Sequence, residues 1–139
     1  MKTAEWHLDC LPKPTFRALD FFAKETWLKR SDWYLAGGTA LTLQLGHRSS
    51  VDLDFFLPTA SFATGALIAK LPADGWQTTL LSEATVYGEL NKAKVSFIAY
   101  PFFSPIQPYH HYGHVRVLDQ ADIAVMKIIA ISQRGRKRD

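Results

Sequence analysis

Two aspartates one residue apart, Asp52 and Asp54, lie in the segment Val51-Asp52-Leu53-Asp54-Phe55-Phe56. A strand here puts both carboxylates on one face and Val51, Leu53 and Phe55 on the other, because side chains alternate. The apolar face has a core to join. The acidic face has no such use, since like charges two residues apart repel and Asp disfavours strands. A solvated edge strand, its charges blocking aggregation, is the plainer reading. A divalent cation between the carboxylates is the reading that gives the pair a task. Magnesium suits it, because that ion takes few carboxylates and fills its other positions with water and phosphate oxygens.

The residues just upstream favour the cation. Tyr34-Leu35-Ala36 runs into Gly37-Gly38, and a helical pattern starts at once with Thr39. Glycines at such a junction let a ligand approach the backbone closely. The helix start offers free amide groups and the positive end of the dipole, which together bind phosphate. A Gly-Gly turn alone is more simply tight packing. Joined to an acidic pair one short helix later, it reads as a magnesium and triphosphate site.

The elements that must position these groups follow from periodicity and breakers. A helix is predicted from about Thr15 to Lys29, with Pro14 just inside its start. A strand follows at Trp33–Ala36, then a helix over Thr39–Leu45 ended by Gly46. The acidic strand spans Val51–Leu57 and is closed by Pro58. A further helix runs from Ser61 or Phe62 to Leu71. Strands are expected at Trp76–Leu81, Thr85–Leu90 and Ala93–Tyr100, the last two joined by Asn91-Lys92 as a two-residue hairpin loop. Pro101 to Tyr112 reads as loop, and His114–Leu118 as a short strand. The last helix begins at Asp119 or Gln120, with Asp119 as its cap, and ends at Gln133 ahead of Gly135. Helices alternating with strands, one pair a hairpin, make an α/β fold: a small mixed sheet with helices packed on it.

Composition sets the bounds. The chain has 139 residues, 47% hydrophobic and 21% charged, which excludes a disordered or collagen-like chain and fits a single domain over 1–139. Its one cysteine, Cys10, cannot form an internal disulfide. No signal peptide and no apolar run of membrane-spanning length are present, so a cytoplasmic protein without membrane contact is expected. The net charge of +3 leans towards anionic partners, and four of the 16 basic residues fall in the last six positions.

The stretch Tyr34 to Phe56, YLAGGTALTLQLGHRSSVDLDFF, resembles the signature of the nucleotidyltransferase superfamily, a Gly-Gly turn followed by an Asp-x-Asp strand. More narrowly it is similar to the AbiEii/AbiGii toxin family. That family's later motifs have counterparts in Lys94-Val95-Ser96, Asp122, Lys127, Arg134 and Asp139. The resemblance implies a nucleotidyltransferase-type fold. It also implies transfer of a nucleotidyl group from a nucleoside triphosphate to an acceptor, often an RNA, and a neighbouring antitoxin protein. Carried over by position, Gly37, Gly38 and Thr39 cradle the phosphates, Arg48 and Ser49 contact phosphate oxygens, and Asp52 and Asp54 bind Mg2+. Lys127, which otherwise reads as a lysine snorkelling from an apolar helix, becomes a phosphate contact.

Two departures stand out. The superfamily's third carboxylate aligns best with Ser96, which cannot bind a metal as an anion. A catalytically impaired nucleotide- or RNA-binding relative is therefore the alternative function. Glu89 shares a face with Ser96, but a cross-strand pair with Lys94 explains it more simply. Second, the family continues into a helical region beyond an ending like RGRKRD, so the chain reads as a shortened form. An Asp-x-Asp glycosyltransferase would need a larger fold. The cluster His110, His111 and His114 matches zinc-ligand spacing poorly.

Overall fold

The computed structural model describes residues 6–138, with side chains as far as residue 134. Asp139 and the side chains of the terminal Arg136, Lys137 and Arg138 lie outside the described residues. Tyr34, Leu35 and Ala36 are apolar and fully buried, which is what a strand covered on both faces requires. They form β1 (Tyr34–Ala36), near the middle of a seven-stranded sheet. With β2 (Leu53–Leu57), β3 (Trp76–Ser82), β4 (Thr85–Leu90), β5 (Ala93–Ala99), β6 (His110–Tyr112) and β7 (Val115–Val117), the order is β3-β4-β5-β2-β1-β7-β6. β1 runs antiparallel to β2 and parallel to β7, and β2 runs parallel to β5. The sheet is mixed, as the alternating elements imply.

The two faces do different work. On one, Phe55 stacks on Phe97 at 5.2 Å, and Phe22 of α1 (Lys13–Ala23) meets both rings edge-on. This aromatic wedge holds α1 against β2 and β5. The other face carries Ala36, Asp54 and Ser96 in adjacent register positions. α3 (Gly37–Leu45) leaves β1 directly and packs against α5 (Gln120–Arg138), and the Gln44 amide of α3 donates at 2.8 Å to the carbonyl of Leu118, two residues ahead of α5.

Several boundaries differ from those the sequence predicts, each for a local reason. The first helix stops at Ala23, and a separate turn, α2 (Thr26–Lys29), follows. The Ala23 carbonyl is taken by the amide of His114 at 2.8 Å, and Glu25 is extended. α3 starts at Gly37, before Thr39. β2 starts at Leu53 rather than Val51, because the Val51 carbonyl accepts from Thr15 Oγ1 and the Asp52 carbonyl from Thr39 Oγ1. The fourth helix is short, α4 (Thr64–Ala69). β6 lies inside the expected loop and pairs with β7 across Gly113. α5 continues through Gly135 to Arg138.

The hairpin loop is confirmed in detail. Asn91 and Lys92 both have positive φ, 48° and 77°, the backbone a two-residue turn needs to match the twist of its strands. Glu89 stands opposite Lys94, as expected, and Tyr87 opposite Ser96.

Candidate functional site

The junction of β1 and α3 is built for close approach. Gly37 has φ +74°, and a β-carbon there would stand 3.0 Å from Asp54 Oδ2. Any larger residue would strain the backbone and press on the acidic side chain. Gly38 is different: its φ is unexceptional, and a β-carbon would meet the end of Arg48 at 2.9 Å. The first amides of α3, at Gly37, Gly38 and Thr39, have no partner within the helix and are available to an anion.

Thr39 takes a part the sequence does not suggest. It is buried, and its hydroxyl is occupied by the Asp52 carbonyl and by Ser50 Oγ at 2.8 Å. Its side chain ties the acidic segment to the start of α3. Ser50 is a residue that sequence reasoning missed; a serine in a polar loop carries no periodic signal.

Asp52 and Asp54 face one open hollow of about 490 Å3, shared with Gly38, Thr39, Arg48 and Ser49. The period-two reading holds for the two aspartates and for buried Leu53 and Phe55, but not for Val51, which precedes the hydrogen-bonded strand, is exposed and lines the same hollow. Burial, then the neighbouring charge of Asp52, push the Asp54 carboxyl above its ordinary value, while the Ser96 hydroxyl beside it acts in the opposite sense. Among the described residues neither aspartate has an ion-pair partner. No group of three or more His, Cys, Asp or Glu forms there or elsewhere among them. Two hard carboxylate oxygen donors beside exposed space fit magnesium, which leaves its other positions to water and phosphate. Asp52 and Asp54 would hold it.

A second hollow, about 290 Å3, adjoins the first across Gly38 and Arg48. It is walled by Gly37, Phe56, Tyr100, Met126 and Lys127. Lys127 is exposed while Ile123 and Met126 on its helix are buried, so the cation stands at the rim with the glycine turn in the same hollow. Tyr100 was missed, although the alternation 96, 98, 100 already places it on the face of Ser96. The hydroxyls of Tyr34 and Tyr100 are buried with no hydrogen-bond partner among the described residues, and burial pushes both phenols up.

The other family positions divide. Asp122 is buried and accepts the amides of Ile106 and Gln107 at 3.1 and 2.8 Å, so it fastens a loop. Arg134 is exposed. Glu89 lies opposite Lys94, in a hollow that also reaches Asp52. His110 bonds Asp119 at 2.8 Å, and His114 Nδ1 lies 3.2 Å from the Glu25 carbonyl.

Residues 25–79 match the family model described as the nucleotidyl transferase AbiEii toxin of type IV toxin–antitoxin systems. An uncharacterized protein of Aquifex aeolicus is 39% identical over 115 residues, which cover 78% of this chain and 54% of that relative. The chain thus spans about half the length of the curated relative it matches. The crystal structure of a candidate nucleotidyltransferase from H. pylori superposes with a TM-score of 0.52 at 17% identity, over 84% of this chain and 58% of that one. A second candidate nucleotidyltransferase, from Thermotoga maritima, gives 0.52 at 13% identity, over 88% and 89%. At these identities the two structures speak for the fold alone. Among the described residues no helix is long and apolar enough to cross a membrane. Residues 25–79 are thus similar to the AbiEii nucleotidyltransferase toxin family, and the chain shares its mixed α/β fold with the two solved structures.

Proposed function

We propose that this chain carries the nucleotide-binding and transfer site of a magnesium-dependent nucleotidyltransferase, the toxin half of a toxin–antitoxin pair. The observation that carries the reading is the single hollow in which Asp52 and Asp54 meet Gly38, Thr39, Arg48 and Ser49. An anion-binding helix start and a pair of carboxylates have no reason to share a cleft unless something both phosphate-rich and cation-bound lies between them. A nucleoside triphosphate is such a ligand.

Transfer of this type needs reactants held in line and charge neutralised on the oxygens around phosphorus. The acceptor hydroxyl oxygen bonds to the α-phosphorus as the bond to the bridging oxygen breaks. Pyrophosphate leaves with that electron pair, and the hydroxyl proton passes to water. A bound magnesium ion supplies charge neutralisation on the triphosphate. The α3 amides and Arg48 hold phosphate oxygens, and Ser49 adds a hydroxyl donor at the same cleft. Lys127 reaches the phosphates as a mobile point charge from the opposite wall. Asp52 and Asp54 would hold the ion. The acceptor is an RNA, and the partner is a cognate antitoxin protein.

Ser96 favours a second reading, a relative that binds nucleotide or RNA without completing the transfer. A hydroxyl occupies the position beside Asp54 where a further anionic ligand would complete a two-ion site. Calorimetry with a nucleoside triphosphate, with and without magnesium, tests the site shared by both. Pyrophosphate release on adding total RNA separates them: release establishes the enzyme, and tight magnesium-dependent binding without release favours the relative. Absence of magnesium-dependent binding, with Asp52→Ala no different from the parent, overturns both.

A further inference from the structure

We propose that a basic track from a hollow beside α1 to Asp52 is the surface along which the acceptor RNA of the transferase reading above, on which this rests, is held as a single strand by its phosphodiester backbone. The hollow is larger than those at the acidic pair, about 680 Å3, and lies outside them. Lys13 and Arg17 of α1 and Lys92 of the β4–β5 turn stand around it, with Asp74 as the one acidic side chain in its wall. All three cations are exposed, and among the described residues none has an ion-pair partner.

Fold stability does not explain this arrangement. Lys13 and Arg17 are four apart on one helix, where like charges repel. Lys92 occupies a positive-φ position that lysine has no intrinsic reason to fill. Phe21 and Leu90 give the hollow an apolar floor. A cationic rim over a floor with an aromatic ring suits an unpaired strand, whose phosphates meet the charges while a base lies against the ring.

The track leads to the candidate site. Thr15, between Lys13 and Arg17, donates its hydroxyl to the Val51 carbonyl at 2.7 Å, one residue before Asp52. Because β5 runs parallel to β2, its first residues lie at the same end of the sheet as the acidic pair. Lys94, two residues beyond Lys92, lines a smaller hollow together with Asp52, Ser96 and the acidic Glu89 opposite it. A polyanion approaching two carboxylates would be repelled. Cations along the approach offset that repulsion and fix where the strand ends, with a terminal ribose hydroxyl delivered beside Asp52.

Fluorescence anisotropy with a labelled single-stranded oligoribonucleotide of mixed sequence tests the track. In the combined variant Lys13→Glu, Arg17→Glu, Lys92→Glu, the RNA dissociation constant should rise at least about tenfold at low salt. The neutral set Lys13→Gln, Arg17→Gln, Lys92→Gln should lower the salt-dependence exponent by about 2, as loss of three phosphate contacts to a single strand implies. Triphosphate affinity measured with magnesium should be unchanged in both, which also shows that they fold. Unchanged RNA affinity and salt slope in variants that still bind triphosphate overturn the track and leave the transferase reading standing. Parent protein that binds labelled polyglutamate as tightly as RNA overturns the assignment to RNA. Parent protein that binds RNA through these cations but no triphosphate upholds the track as an RNA site and removes the transferase reading.

Discussion

Ser96 stands directly across from Asp54 in the parallel ladder between β5 and β2, so the half-buried carboxylate has a hydroxyl for its neighbour on that strand and not a second acid. This one position decides how much negative charge the cleft carries. On the proposed reading, Asp52 and Asp54 alone would hold one divalent cation well and a second poorly.

Ser96→Asp should therefore act on metal affinity before anything else. A third carboxylate beside Asp54 adds like-charge repulsion, so the metal-free protein should melt several degrees lower, equivalent to about 1 kcal/mol for a domain of this size. Manganese, used as a spin probe for magnesium, should bind at least about tenfold tighter than to the parent. Titration followed by electron paramagnetic resonance reads this directly. Equal manganese affinity in the two proteins would mean that position 96 does not face the cation.

The same charge logic gives Asp52→Asn an unusual signature. Burial, then the charge on Asp52, raise the Asp54 carboxyl above its ordinary 3.8. A carboxyl raised on folding favours the folded state at low pH, below 3.8, and that contribution is lost as pH rises through the raised value. At neutral pH the metal-free fold therefore carries two repelling carboxylates. Asp52→Asn removes one of them, so the melting temperature at pH 7 without metal should rise while magnesium-dependent triphosphate binding disappears. A variant that melts lower yet binds triphosphate normally would mark Asp52 as structural.

Much of this site was legible because its signals are local. Asp-x-Asp reads as one face of a strand from spacing alone, and Asn91-Lys92 reads as a turn because few other pairings of flanking strands are possible. The elements that were misjudged depend on contacts distant in sequence. The helix ends at Ala23 because the His114 amide takes its carbonyl, a partner 91 residues away that no window around Ala23 contains. β6 exists only as the mate of β7, inside a segment whose prolines argue for loop. Arg116, which donates to the carbonyls of Leu28, Lys29 and Trp33 and fastens α2 to the sheet, is likewise invisible until the chain is folded.

The two glycines should separate cleanly on substitution. Gly38→Ala places a β-carbon 2.9 Å from the tip of Arg48, a flexible side chain that can move aside. Its cost falls on the cradle: triphosphate should bind roughly tenfold more weakly, about 1.4 kcal/mol, with the melting temperature nearly unchanged. Gly37→Ala meets a positive φ as well as Asp54 at 3.0 Å, and should lose about 1–2 kcal/mol of stability along with binding. Denaturant midpoints and calorimetry on the same preparations give both numbers. Equal destabilisation by the two substitutions would contradict the geometry of the turn.

Asp119 links the stability of α5 to pH, and through α5 to the placement of Lys127. Its carboxylate bonds His110 at 2.8 Å and caps the helix by accepting the Ala121 amide at 2.9 Å. The His110 bond is the main cause that holds this carboxyl below its ordinary value; burial opposes it and the Ala121 amide adds to it. A carboxyl lowered on folding stabilises the protein above 3.8, and that contribution is lost as pH falls through the lowered value. Asp119→Ala should therefore cost about 1 kcal/mol at pH 7, as loss of a helix cap does, and the difference from the parent should shrink as pH falls below 3.8. Asp119→Asn keeps a capping oxygen but no charge, and should lie between the two at pH 7. Because the cap fixes the first turn of the helix that carries Lys127, Asp119→Ala should also weaken triphosphate binding by a few-fold, an effect that Asp119→Asn largely restores. Thermal melts from pH 3 to 8 and one calorimetric titration decide it: a pH-independent gap between Asp119→Ala and the parent would show that neither the histidine bond nor the cap depends on the charge.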